Sequence, residues 1–183
     1  MSDAGAPPGG GPIEGSEVVL LDDDWRQVEF VAADLAPAVD LEFADIQAIR
    51  QSHRVGPGFD QVHVRTLVAD PLAGRVVSGA ALTSRFGQLS RGLRVDVRDR
   101  RVGDGFVVAL GASWALYGTY TDRLARILGL HRSSSEAATA AGDMEDRLRS
   151  LAREHQLLLV DWCRCRKAGS DDAGFATIML RGE

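Results

Sequence analysis

Two rhythms of apolar and polar residues run through this chain, one with a period of two and one with a helical period, and together they predict its elements. Val62, Val64, Thr66 and Val68 alternate with His63, Arg65 and Leu67, the pattern of a half-buried strand running to a turn at Asp70-Pro71. Leu93, Val95 and Val97 alternate with Arg94, Asp96 and Arg98, and the apolar run 106–110 follows Gly103-Asp104-Gly105, so the two stretches are expected to be antiparallel neighbours. Residues 18–21 and 25–31 read as short strands on either side of the acidic triplet Asp22, Asp23 and Asp24, with the form of a hairpin. Further strands are expected over 76–82, over 157–160, which is apolar on both faces as a covered central strand should be, and over 175–180.

Helical spacing appears elsewhere. Pro37 suits a first helical turn, and Val39, Phe43, Ile46, Ile49 and His53 then recur three or four residues apart, up to the break at Gly56-Pro57-Gly58. Thr121 is placed to cap a short helix carrying Leu124, Ile127 and Leu128, with Gly129 as its stop. Ser133 and Glu136 have capping-box spacing, and Met144, Leu148, Leu151 and His155 continue a helix that is expected to be the last. Residues 1–16, rich in Pro and Gly, read as a disordered tail, and residues 17–183 as a single globular domain. Strands cluster in the middle and helices near the two ends, which predicts an α+β domain: a mainly antiparallel sheet packed against two or three helices.

Composition narrows the function classes. The 183 residues are 45% hydrophobic and 26% charged, with a formal net charge of -5, which excludes a collagen, a coiled-coil rod and a disulfide miniprotein. A domain of this size buries roughly 70% of its unfolded surface and needs no metal or disulfide to be stable. The acidic balance argues against nucleic acid and anionic membranes as partners. Lys167 is the only lysine, a bias that fits high-GC bacterial coding. Cys163 and Cys165 are the only cysteines; on a strand their alpha carbons would stand about 7 Å apart, at the edge of disulfide geometry, so free thiols and a cytoplasmic location are expected. The opening residues lack the basic-then-apolar pattern of a signal peptide, and no apolar run is long enough for a membrane span.

Candidate chemistry is sparse. Gly111-Ala112-Ser113-Trp114-Ala115 after the run 106–110 approaches a nucleophile elbow, but Ala115 replaces the second glycine, and Asp122 or Asp143 with His131 or His155 completes a triad only formally. His53, His63, His131 and His155 form no ligand pair with Cys163 and Cys165 at zinc spacing, and His53 and His155 fit helix C-termini instead. The glycine clusters at 56–58 and 103–105 read as turns, so no cofactor is expected. Arg91, Arg94, Arg98, Arg100 and Arg101, interrupted by Asp96 and Asp99, read mainly as a paired solvent face. Asp22, Asp23 and Asp24 beside Trp25 combine charge steering with an aromatic anchor, the mix that protein interfaces use, and Glu29 extends the acidic side if it faces outward with Gln27. Asp161-Trp162-Cys163-Arg164 has a similar mix.

The segments Asp22-Asp23-Asp24-Trp25-Arg26-Gln27-Val28-Glu29-Phe30 and His155-Gln156-Leu157-Leu158-Leu159-Val160-Asp161-Trp162-Cys163-Arg164 resemble small bacterial immunity proteins encoded beside polymorphic toxins. The resemblance covers roughly a tenth of the chain and carries over no functional residue. It implies one protein partner, a basic toxin domain acting in the cytosol, held in a tight complex. The residues' own charge and aromatic character make Asp22, Asp23, Asp24, Trp25 and Glu29 the first interface expectation. A small hydrolase-like enzyme with an unidentified catalytic set is the alternative, and the binding protein is preferred. Oligomeric state is left open.

Overall fold

The structure is a computed structural model that describes residues 18–20, 25–56, 58–60, 70–89, 93–95, 100–101, 104–110, 114–132 and 141–180. Its elements begin with β1 (Val18–Leu20), β2 (Val28–Ala32), a 3-10 turn at Ala33–Leu35 and α1 (Ala36–Ser52). The two-residue strands β3 (Arg54–Val55) and β4 (Gly58–Phe59) precede α2 (Gly79–Phe86), β5 (Leu93–Val95) and β6 (Arg100–Arg101). A meander of β7 (Gly105–Leu110), β8 (Trp114–Thr121) and β9 (Leu124–Arg132) leads to α3 (Ala141–His155), β10 (Leu157–Asp161), β11 (Arg166–Ala168) and α4 (Gly174–Leu180).

Six strands form one sheet in the order β11-β10-β2-β9-β8-β7, and every pairing in it is antiparallel. The protein is therefore α+β with a mainly antiparallel sheet. One face carries Phe30, Phe106, Leu116, Leu128, Leu157 and Leu159 and packs on Leu82 and Phe86 of α2, Leu148 and Leu151 of α3, and Phe175 and Ile178 of α4. Alternate residues point the other way: Val31 and Val160 meet Val39 and Phe43 of α1, while Leu20 covers Val107, Ala115 and Tyr117 further along the sheet. Each fully buried Leu or Phe contributes roughly 1.5–3 kcal/mol, and this two-sided burial is the main stabilising term.

The helical stripes explain which helices form. Pro37 sits in the first turn of α1, and the buried residues Val39, Glu42 and Phe43 share its inner face. On α3, Leu148, Leu151 and Ala152 are buried, while the outer face is tied by pairs four residues apart, Arg147–Asp143 and Arg149–Glu145, both at 2.7 Å. His53 caps the C-terminus of α1 and His155 closes α3, the positions expected for both histidines.

Several expected elements come out differently. Residues 124–132 are a strand, not a helix: Leu124, Ile127 and Leu128 fit either period, and the two-residue turn Asp122-Arg123, with both φ values positive at 51° and 65°, makes the hairpin that decides it. Residues 175–180 are helical, because Phe175, Ile178 and Met179 bury one helical face, so α3 is not the last helix. Residues 79–82 open α2, whose cap is Ser78: its hydroxyl accepts from the Ala81 N–H at 3.1 Å. β1 and β2 are no hairpin, since β1 pairs in parallel with β5 in a separate three-stranded sheet, and β5 pairs with β6 rather than with β7. A short apolar run has no memory of its partner; long-range packing chooses it. The tail 1–16, the strand expected at 62–68 and the capping box at 133–136 lie outside the described residues.

β2 and β9 stay paired at only two positions, Val28↔Leu130 and Glu29↔Gly129. Beyond them the strands part, and residues 70–78 fill the gap: Ala32 N–H donates to the Pro71 carbonyl at 2.7 Å and Ala125 N–H to the Val77 carbonyl at 2.8 Å. The last paired rung, at Glu29, lies beside the seam between α1 and β1 on the same face.

Candidate functional site

Glu29 belongs to the β2 face opposite Phe30, and its side chain has no solvent exposure. Burying a carboxylate is strongly unfavourable unless donors surround it. Three do: Arg26 Nε at 2.7 Å from Oε2, an Arg26 terminal nitrogen at 3.2 Å from Oε1, and Trp162 Nε1 at 2.8 Å from Oε1. The expectation that Glu29 faces outward with Gln27 is thus corrected; the strand alternation puts it inside, between two covered halves of the sheet.

Arg26 serves the site twice. Its guanidinium grips Glu29, and its backbone N–H donates to the Tyr117 hydroxyl at 2.7 Å. Its φ of 60° lies in the left-handed region, which a non-glycine residue adopts only when surrounding contacts hold it. Tyr117 is fully buried on β8, and its ring occupies the space over Gly129 on β9: a Cβ added at Gly129 would lie 2.2 Å from Tyr117 Cζ. Trp25 stacks at a tilt on the same ring, centroid to centroid 5.2 Å, and remains half-buried. Residues 25–27 are therefore pinned to the middle of the sheet through Tyr117 and Glu29.

The second segment singled out in the sequence arrives at the same place. Asp161 pairs with Val28 in the β10–β2 ladder, and Trp162 N–H donates to the Gln27 carbonyl at 2.9 Å. Phe43 of α1 meets the Trp162 ring edge-on at 5.5 Å. Asp161 is buried as well, its Oδ1 accepting from the Arg164 N–H at 3.0 Å and its Oδ2 from the Arg164 guanidinium at 3.3 Å. Residues 162–165 form a tight turn between β10 and β11, which corrects the placement of Cys163 and Cys165 on one strand. Arg50, in the last turn of α1, donates to the Cys163 carbonyl and brings its other terminal nitrogen to 3.8 Å from Cys165 Sγ. Burial pushes the Cys165 thiol up, and the Arg50 charge opposes that shift.

Of the five interface residues expected from sequence, Trp25 lies against the Tyr117 ring, Glu29 is buried on Arg26 and Trp162 and so closed to a partner, and Asp22, Asp23 and Asp24 lie outside the described residues. Glu29 is closed to solvent and accepts three hydrogen bonds from the Arg26 and Trp162 side chains, so it ties these two segments together. Gly111, Ala112 and Ser113 of the expected elbow lie outside the described residues; on either side of them Leu110 and Trp114 pair in the antiparallel β7–β8 ladder. Among the described residues, no group of three or more His, Cys, Asp or Glu is arranged to hold a metal ion, and no helix is long and apolar enough to cross a membrane. Tyr117, Gly129 and the hold of Trp162 on Glu29 were missed by sequence reasoning. The spacing of Gly129 fits a helix stop, but on β9 it is a socket for the Tyr117 ring. Comparison with protein-family models, curated proteins and solved structures finds no match to this chain.

Proposed function

We propose that the chain is a protein-binding protein of the immunity type, which neutralises one cognate, cytosol-acting toxin by holding it in a tight complex. The observation that carries this reading is the anchoring of residues 25–27. A loop directly following the acidic triplet Asp22, Asp23 and Asp24 is held by the Tyr117 hydroxyl, the Glu29 carboxylate and the Trp162 backbone N–H. A contact loop fixed in advance avoids roughly 0.5–1.5 kcal/mol of ordering per side chain on binding. Half-buried Trp25 supplies the aromatic anchor, and the net charge of -5 favours encounter with a basic partner. The two segments that resemble immunity proteins are neighbours: the Val28–Asp161 pair and the Trp162 N–H bond to the Gln27 carbonyl bring half-buried Trp25 and exposed Cys163 to the same end of the sheet.

The test begins with the tagged full chain recovered from its native bacterium and the co-purifying proteins identified. One stoichiometric basic partner is expected, whose toxicity on expression is relieved when this chain is expressed with it. Replacing Asp22, Asp23 and Asp24 together by Ala should slow association while leaving dissociation and thermal stability close to the parent. A partner that is not toxic, or association unchanged by the triple replacement, overturns the reading.

A further inference from the structure

We propose that the outer face of α1 is a self-association surface, on which a second copy of this chain lies antiparallel about a two-fold axis near Ala48. With about 100° of rotation per residue, Val39, Phe43 and Ile46 face the sheet and leave Pro37, Leu41, Ala44 and Ala48 in line on the opposite side, all exposed. Leu41 is 61% exposed, and Val55, just past the end of the helix, is 60% exposed. The third large exposed apolar residue among those described, Val76, follows Arg75, whose guanidinium reaches Asp34 at 3.2 Å just ahead of α1. Exposed apolar side chains scattered singly need no explanation, but these three gather along one helix.

The spacing is self-complementary, which is what selects a second copy as the occupant. With Ala48 opposite Ala48 in an antiparallel pair, Leu41 of each copy falls opposite Val55 of the other, because the two lie equally far in sequence on either side of the axis. Ala44 and Ala48 are small enough to let the helix axes approach to about 8 Å, the near end of helix packing distances. Charge selects the direction: Asp40 and Asp45 precede Ala48 while Arg50 and Arg54 follow it, so an antiparallel copy sets acids against bases and a parallel one would set like against like. Asp45 and Arg54 form no ion pair among the described residues, and in this register they stand about one helical turn apart across the contact, within reach of a guanidinium. A contact along one helix of 17 residues is small, so the dimer is weak and reversible.

This inference does not rest on the toxin reading, since the inner face of α1 is the one that meets Trp162, and the chain alone tests it. Sedimentation equilibrium of the purified full chain, from low to high micromolar concentration, should show a reversible monomer–dimer equilibrium. Leu41 is covered twice in a two-fold dimer, so Leu41→Asp should weaken association by about a hundredfold or more. Its exposure in the single chain means that the circular dichroism spectrum and melting temperature, read where parent and variant are both monomers, should match. Asp45→Arg should also weaken the dimer, and adding Arg54→Asp to it should restore association. A parent that stays monomeric throughout, or a dimer indifferent to Leu41→Asp, would overturn the proposal. A charge exchange that fails to restore association would overturn the antiparallel arrangement.

Discussion

Gly129→Ala tests whether the Tyr117 ring organises the site. Removing a glycine from a strand interior normally stabilises by roughly 0.5–1 kcal/mol, because Gly loses more backbone freedom on folding than Ala. Here the added Cβ would stand 2.2 Å from Tyr117 Cζ, 2.5 Å from its hydroxyl oxygen and 2.6 Å from Cε2, distances real Cβ atoms do not show. The ring cannot swing clear cheaply: it is fully buried, Trp25 lies against it, and its hydroxyl accepts from Arg26. Overpacking of this kind costs about 1–3 kcal/mol, and loss of the Arg26 bond adds about 1 kcal/mol. The net expectation is destabilisation of about 1–3.5 kcal/mol, centred near 2 kcal/mol, at which the melting temperature falls by roughly 4–8 °C for a chain of this size. Urea unfolding followed by tryptophan fluorescence measures it, with Gly142→Ala as the control, since a Cβ there meets nothing within 4 Å. Adding Tyr117→Leu should make the Gly129→Ala step cheaper, the sign of a direct clash. A Gly129→Ala protein as stable as the parent would refute the argument.

Glu29→Ala should destabilise by about 3–5 kcal/mol, since it leaves the guanidinium of Arg26, only 18% exposed, without its carboxylate; a loss under 1 kcal/mol in urea unfolding would contradict the anchoring role. Tyr120→Phe should be neutral or stabilising by up to about 1 kcal/mol: the hydroxyl is buried with no hydrogen-bond partner among the described residues, and burial pushes its pKa up to about 12. A clear drop in melting temperature would show that this hydroxyl does useful work. Burial holds the His155 imidazole below its usual pKa of 6.5, an effect that the Arg85 charge reinforces and Glu154 opposes. The unfolded chain then binds the proton more readily, so stability is present above 6.5 and is lost as pH falls below it. His155→Gln should flatten the loss of stability between about pH 7 and pH 5, and an unchanged slope in unfolding titrations would assign it elsewhere. Glu154 and Asp171, held below the ordinary carboxylate range by Arg85 and Arg153 respectively, add their losses only at lower pH.

The sequence by itself determined what local spacing can determine. The stripe Val39, Phe43, Ile46 made α1, and Leu148 and Leu151 marked α3. The doubly apolar run at 157–160 made a strand flanked on both sides by other strands. Those features depend on periods of 3.6 and 2, which are read within a few residues of one another. The α+β class followed from them. What tertiary structure decided is who pairs with whom and which polar groups go inside. Leu124, Ile127 and Leu128 satisfied both periods until β8 offered a partner. Phe175, Ile178 and Met179 turned a short apolar run into a helix by packing on the covered face of the sheet. Glu29 read as surface because carboxylates usually are, and only the donors of Arg26 and of Trp162, the latter 133 residues away in sequence, make its burial tolerable. Pairing between distant segments carries no local signature, because its free energy exists only once both sides have folded against each other.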